Sequence, residues 1–443
     1  MQRKRRLTAP AIGLIIACIV GSWTAAASSR AARLSAGSGS VLFLSTQFTP
    51  IDEAETYRNS ILAGAPVGTN FLPSDAAPFY SRIQLEESSH RVTIGVIGGL
   101  HGDLQPLAAQ GYLQDVTPLL GELKKVGFAR SLLDLTRFGG NSKHYYVPWM
   151  QATYIMAVNV KALKYLPPGV SVQHLTYDGL IQWGRNMQRG TGKRLIGLPA
   201  GSTGLIHRFI QGYLYPSFTH SSGVVQFRSA AAVRMWQKMK QLWAVTNPQS
   251  TGYSFMQEPL MNGQVWVAWD HVARLIDAVN SRPSQFRLVP APSGPKGLGY
   301  LPVIAGLAIP KGTPDLKSAE KLISYLAQPR QQIRTLTRLA FFPATNAHLP
   351  ATVPAGTRLE GVAVKAQSYA KNALPALLPI GLGTQGAAFN QVYLDTFNRI
   401  VVRNENISAV LNDEARTLQG ILDQTKAPCW APDKTGRGTC HVR

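Results

Sequence analysis

Acid is scarce in this chain. Its 443 residues carry 23 Asp plus Glu against 45 Lys plus Arg, a formal charge of +22. Chemistry that needs paired carboxylates, such as glycoside hydrolysis, has few residues to draw on. Cysteine is scarcer still, with three, and no Cys/His set has metal-ligand spacing. The strings H-E-x-x-H, G-x-S-x-G and G-x-x-x-x-G-K-[ST] are missing, so neither a zinc-protease helix, a nucleophile elbow nor a phosphate-cradling loop is indicated. These absences predict a protein that is not an enzyme and needs no metal or cofactor. No Lys/Arg block follows Arg6, and the scattered basic residues suit a surface facing low pH or an anionic envelope better than a nucleic-acid groove. After the first 29 residues no apolar run is long enough to cross a membrane.

What is present begins with an export signal. Arg3, Lys4, Arg5 and Arg6 precede an uncharged stretch from Leu7 to Ser29, apolar over Ala11 to Val20 and small at Ala25 to Ser28. That order describes a secretory signal peptide over residues 1–27. Two other outcomes stay open: Ile15-Ile16-Ala17-Cys18 resembles a lipobox that would make a lipoprotein acylated at Cys18, and the uncharged run is long enough to stay as an anchor. All three export the body to the periplasm or the outer face of the cytoplasmic membrane. Losing the four leader charges leaves +18 on the mature chain. Residues 28–40, mostly Ser, Ala, Gly and Arg, read as a flexible tether. Cys429 and Cys440 lie 11 residues apart in a Pro/Gly/Thr-rich tail, 426–443, and in an oxidising compartment they are expected to form a disulfide. A metal pair with His441 is the competing reading, and it leaves a zinc site one ligand short.

The body alternates short apolar runs with helical patterns. Val41 to Leu44, Val92 to Ile97, Tyr154 to Val158, Leu195 to Leu198, Val265 to Trp269 and Val303 to Ile309 read as strands. Helices are expected at 52–62, 103–113, 115–125 (capped by Asp115), 176–187 (capped by Thr176), 228–243, 316–326, after a turn at Pro329 up to Leu339, 386–403 and 408–423. Strand–loop–helix alternation argues for an α/β architecture with parallel sheets.

Several stretches, taken in order, resemble one family. Gly98-Gly99-Leu100-His101-Gly102-Asp103-Leu104 with Gly111-Tyr112-Leu113-Gln114-Asp115-Val116-Thr117 is similar to a strand–loop–helix ending in "G-L-L-x-D-L-T". Tyr146-Val147-Pro148-Trp149, followed by Tyr154 through Lys161, resembles its first crossover, and Gly263 through Asp270 its second. Ala305 to Gly312 and Phe342-Pro343-Ala344-Thr345 match its late signature. The family is that of the extracellular solute-binding proteins, which includes maltose-binding protein, and the matches run from about residue 41 to residue 425. Val160 and Gln264 to Val267 depart from the pattern, which bears on subfamily and not on fold.

The resemblance implies a two-lobed periplasmic-binding-protein fold of type II, α/β, with lobes discontinuous in sequence and joined by hinge strands. Residues 41–151 plus 268–311 would form the N-terminal lobe, and 152–267 plus 312–425 the C-terminal lobe. It also implies a monomer that captures a mono- or oligosaccharide by hinge closure and hands it to ABC permease subunits in the membrane. The alternatives are an anionic solute, such as a glycerol phosphate or a uronate, and a sugar-sensing partner of a membrane receptor.

Ligands of such lobes meet the loops after strand carboxyl ends. There, Trp149, Tyr154 and Trp269 offer flat faces for a pyranose ring, while Thr46, Gln47, Asp103, Gln151 and Asp270 offer donors and acceptors for hydroxyls. His101 and His207 stand in the same loops. Each has a plainer role open to it: the aromatics as hinge core, Asp103 as a helix cap, Asp270 as a partner of Arg274, the histidines as solvated loop residues. The expectation for the site is that Trp149 and Trp269 face each other across one cleft, with Asp103 reaching it from the first lobe.

Overall fold

A computed structural model describes residues 40–49, 51–140, 142–382, 385–434 and 438–443. The signal peptide, Cys18 and the tether up to residue 39 lie outside the described residues. Two sheets organise the body. The first runs β11-β4-β10-β3-β1-β2, from β1 (Ser40–Ser45), β2 (Gly68–Pro73), β3 (Ile94–Leu100), β4 (Val147–Ala152), β10 (Val303–Ala308) and β11 (Phe342–Pro343). The second runs β6-β7-β5-β8, from β5 (Tyr154–Asn159), β6 (Ile196–Gly197), β7 (Val267–His271) and β8 (Phe286–Val289). A small parallel pair, β9 (Leu298–Tyr300) with β12 (Ala373–Pro375), completes the set.

Local sequence explains the elements. β3 is a near-continuous apolar run buried from Ile94 to Gly99, as a strand covered on both faces requires. Gly98 is obligatory within it, because a Cβ there would meet Phe43 at 2.8 Å, Ser45 Oγ at 2.9 Å and Trp149 at 3.0 Å. The helix Tyr177–Thr191 starts where Thr176 Oγ1 accepts the Gly179 N–H and stops at Gly192, whose φ is +71°. Asp115 caps as expected, accepting the Thr117 N–H at 3.0 Å, but the helix it opens is short, Thr117–Glu122.

The chain passes between sheets three times, and the strands fall differently from the expected lobe limits. The first passage runs from Ala152, the last residue of β4, to Tyr154, the first of β5. The second does not come at residue 268. β7 pairs antiparallel with β5, so residues 268–289 belong with the second sheet and not the first. The passage comes after β8, in a stretch holding Pro290, Pro292 and Pro295, where missing N–H groups cannot extend a ladder. The helix Leu316–Ala327 likewise packs on β1, β3 and β4, so it covers the first sheet rather than the second. The third passage spans 344–354, and the helix Ala355–Ser368 then packs on β5 and β8.

The tail is fastened. Cys429 and Cys440 are bonded to each other, and a loop of this size gains roughly 2–3 kcal/mol on the chain-entropy model. The Asp433 carboxylate accepts from Ser221 Oγ (2.8 Å), Ser222 N–H (2.9 Å) and Ser222 Oγ (2.6 Å). Among the described residues no helix is long and apolar enough to cross a membrane, and no three His, Cys, Asp or Glu side chains gather as a metal site would need.

Candidate functional site

Strand directions fix where a ligand site belongs. β1 and β3 are parallel, β10 is antiparallel to β3, and β4 is antiparallel to β10, so β1, β3 and β4 all end on the same side. β4 ends at Ala152, and β5 begins two residues later at Tyr154. Opposite Tyr154 lies His271, the last residue of β7, and β6 is parallel to β7. Both sheets therefore turn their parallel carboxyl ends toward the crossover at Thr153. The segments that follow these ends are 46–49 and 101–103 on the first sheet, joined by Thr46 and Asp103, and 199–207 and 272–275 on the second, joined by Arg274 and Thr203. Thr153 itself is fully buried and hydrogen-bonded to Tyr213, Gln367 and the Leu301 carbonyl.

The first sheet brings Thr46, Gln47 and Asp103 together. Thr46 Oγ1 donates to Asp103 Oδ2 at 2.7 Å, Gln47 Nε2 donates to Thr46 Oγ1 at 3.1 Å, and the Leu100 N–H donates to Asp103 Oδ2 at 3.0 Å. Asp103 thus caps the helix His101–Ala109 and anchors the loop after β1 at once. Burial raises its pKa, and the bonds from Thr46 and Leu100 oppose the rise. His101 is buried, bonded through Nδ1 to the Tyr146 hydroxyl at 2.9 Å, and burial pushes its pKa down to about 3. It is a neutral internal group and not a solvated one.

The second sheet brings Tyr154 and Trp269 together. Their rings stack at 4.8 Å with 6° between planes, and Phe209 and Tyr213 close on the indole at 4.9 and 5.1 Å. Asp270 is fully buried and does not form the surface pair with Arg274 that sequence allowed. Its carboxylate accepts the N–H groups of Met256 (2.9 Å) and His271 (2.8 Å), and burial raises its pKa to about 7. His207 is buried too, its pKa driven down to about 3 by burial and by the charges of Arg208 and Arg274. Of those two arginines, Arg274 was named only as a surface partner for Asp270, and Arg208 was missed in the sequence. Arg208 stands one residue beyond the nominated loop 199–207, and no local sequence signal marks it.

Two nominated residues belong elsewhere. Trp149 is 1% exposed and lies in an aromatic core with Phe43 (5.6 Å), Phe48 (5.5 Å) and Tyr57 (5.6 Å), a cluster separate from that of Trp269. The two tryptophans do not face each other across a cleft. Gln151 is 2% exposed and ties strands together, its Nε2 donating to the Pro343 carbonyl at 2.8 Å. A cavity of about 910 Å³ opens between the two sheets' helices, with His101, Arg130 and Phe138 on one side and Tyr369, Pro375 and Asp433 on the other. Next to His101, Gly102 faces Ile380, so the turn after β3 touches the second sheet's side of the molecule directly.

The fold has many relatives among solved structures. The sugar-binding protein MalE from Xanthomonas citri superposes with a TM-score of 0.68 at 15% identity, covering 87% of this chain and 98% of its own. A cyclic α-maltosyl-1,6-maltose binding protein from Arthrobacter globiformis gives 0.62 at 15% identity, covering 87% and 99%. UgpB from Mycobacterium tuberculosis, solved with glycerophosphocholine, gives 0.57 at 19% identity, covering 88% and 100%. At such identities the likeness establishes the fold, which is the type II periplasmic-binding-protein fold. A comparison with curated protein sequences finds no match. Residues 83–333, more than half of the chain, match the family model of the bacterial extracellular solute-binding proteins, and the chain belongs to that family.

Proposed function

We propose that this protein captures a mono- or oligosaccharide between its two lobes and presents it, closed, to the permease subunits of an ABC importer. The observation that carries the reading is the convergence of both sheets' carboxyl ends on Thr153, with Asp103 and Thr46 joined at the ends of one sheet and Tyr154 stacked on Trp269 at the ends of the other. Residues 40–152 plus 303–343 act as one lobe, and 154–289 plus 355–425 as the other, with the three passages as the hinge. A ligand touching both faces is bound fully only in the closed form, so it shifts the population toward closure. Catalysis has no role in this scheme, a reading supported by the backbone N–H groups that engage Asp103 and Asp270. The exported protein works as a monomer, without cofactor, metal or nucleic acid.

Calorimetry with a panel of mono- and oligosaccharides, paired with small-angle scattering, tests this. The expected result is micromolar or tighter binding of at least one sugar-type solute, accompanied by a smaller radius of gyration. Failure of every member to bind would sink the reading.

A further inference from the structure

Donors and acceptors around the second aromatic cluster do not balance. Arg208 is partly buried, and its Nη1 donates to the neutral Gln211 Oε1 at 3.1 Å. Among the described residues no carboxylate pairs with it. Its own stretch of chain offers none: residues 179–257 hold nine Lys plus Arg and not one Asp or Glu. Asp270 is already engaged by two N–H groups. Arg274 is settled differently, donating to the Thr203 and Ser254 carbonyls at 3.3 and 3.2 Å with its guanidinium 4.4 Å from the Phe255 ring. Two further buried atoms lack a partner: His207 Nδ1, on the residue before Arg208, and Trp269 Nε1, which can only donate, on the ring that packs against Phe209.

A cation held partly shielded from water with no carboxylate partner keeps its charge available to an anion, and neutral hydrogen bonds do not cancel that charge. We infer that the solute carries an anionic group, a phosphoryl or carboxylate substituent on a sugar or polyol, and that Arg208 is the residue that binds it. This rests on the capture reading above and narrows its solute class. The flat, five-donor guanidinium suits both oxyanions, because two parallel N–H bonds can reach either. His207 stays neutral across the ordinary range, held down by burial, so the positive charge at this seat does not switch with mild pH change. The competing role for Arg208 is purely structural, a brace that holds Gln211 against Asn390, to which Gln211 Nε2 donates at 3.2 Å.

The full exported chain is titrated calorimetrically with glucose, glucuronate, glucose 6-phosphate and glycerol 3-phosphate, alongside Arg208→Gln and Arg208→Lys. At least one anionic probe should bind about tenfold or more tightly than glucose. Arg208→Gln should weaken that probe by about 10- to 150-fold per folded molecule, the range of a charged hydrogen-bonded contact, and Arg208→Lys should recover part of it. Glucuronate against glucose 6-phosphate separates carboxylate from phosphoryl. Glucose binding as tightly as its anionic relatives overturns the inference, as does full affinity in Arg208→Gln or a loss of melting temperature alone. If neutral oligosaccharides bind and no anionic probe does, the inference falls while capture stands; if nothing of either kind binds, both fall.

Discussion

Two aromatic clusters flank Thr153 in sequence and are made from the same residue types. Phe43, Phe48, Tyr57, Phe71 and Trp149 form one; Tyr154, Phe209, Tyr213 and Trp269 form the other, and no ring in either is more than 5% exposed. Burial therefore does not distinguish them, and neither does an unsatisfied atom, since the Tyr57 hydroxyl is as partnerless as the Trp269 indole N–H. Their surroundings do. The first is enclosed by apolar residues of the first sheet and its helices, such as Val96, Leu307 and Leu322. The second is bordered by His207, Arg208, Asp270 and His271 at the carboxyl ends of β6 and β7. An aromatic cluster becomes a candidate ligand surface through the ionisable groups at its edge.

The strongest way to break this comparison is to truncate one tryptophan from each cluster. Trp149→Ala and Trp269→Ala should each lower unfolding free energy by about 3–5 kcal/mol, because each removes a fully packed indole. They should differ in ligand affinity per folded molecule. Trp149→Ala should leave it intact, whereas Trp269→Ala should weaken it about 5- to 150-fold, equivalent to about 1–3 kcal/mol, because it removes the ring that Tyr154 rests on. Denaturant melts with calorimetry on the folded fraction read both quantities. Equal affinities in the two variants would make the second cluster plain core as well.

Sequence made the strand order more legible than the site. Apolar runs such as Ile94 to Ile97 announce buried strands wherever they stand. β2 gave no such signal, since Gly68, Asn70 and Pro73 suit only an edge, where one flank pairs and Phe71 alone is buried. The helix Ala355–Ser368 contains Gly356 and Gly361, and glycine has a poor helix propensity. They are close-approach positions: a Cβ on Gly356 would strike the Asn280 backbone at 2.6 Å, and one on Gly361 would strike Leu349 at 2.4 Å. The loops after β1 and β3 were found because the carboxyl-end rule needs only strand positions. Trp149 was misassigned because β4 is buried along its whole length, so no alternation tells a core face from a cleft face. Arg208 escaped because nothing local says that a scattered basic residue will lie without an acid.

A second test sharpens the contrast between charged groups that serve the cleft and those that only mark burial. His101 belongs to the turn that carries Asp103, and its pKa is depressed to about 3. A depressed histidine stabilises the fold above the unfolded value near 6.5 and loses that contribution as pH falls toward 3, with a slope of up to about 1.4 kcal/mol per pH unit. His101→Gln should flatten this acid-side slope, whatever it does to the plateau through the lost Tyr146 bond. Urea melts between pH 7 and 4 decide it, and an unchanged slope would mean that His101 already ionises in the folded state.

The smallest effect is expected at Glu360, and its sign is the opposite. Glu360 lies in the helix Ala355–Ser368, fully buried, with neither carboxyl oxygen hydrogen-bonded and with Asp277 adding like charge. Burial first, then Asp277, raises its pKa well above the ordinary value, so the folded state holds a proton that the unfolded chain releases. Stability is then greatest below the unfolded value near 4.5 and declines as pH rises toward the folded one. Glu360→Gln replaces one neutral group by another of the same shape. At pH 4 it should stay within about 1 kcal/mol of the parent; at pH 7 it should be the more stable of the two, with ligand affinity untouched. This separates two kinds of buried orphan. At Glu360 the unmet group is an acid that neutralises itself by keeping its proton. At Arg208 the unmet group is a partly exposed guanidinium that cannot lose one in water's range, so its charge stays available to an anion from outside the chain. Should Glu360→Gln lose stability at pH 7 instead, the carboxyl is ionised and partnered in solution, and unpaired groups in this fold would no longer point to missing ligands.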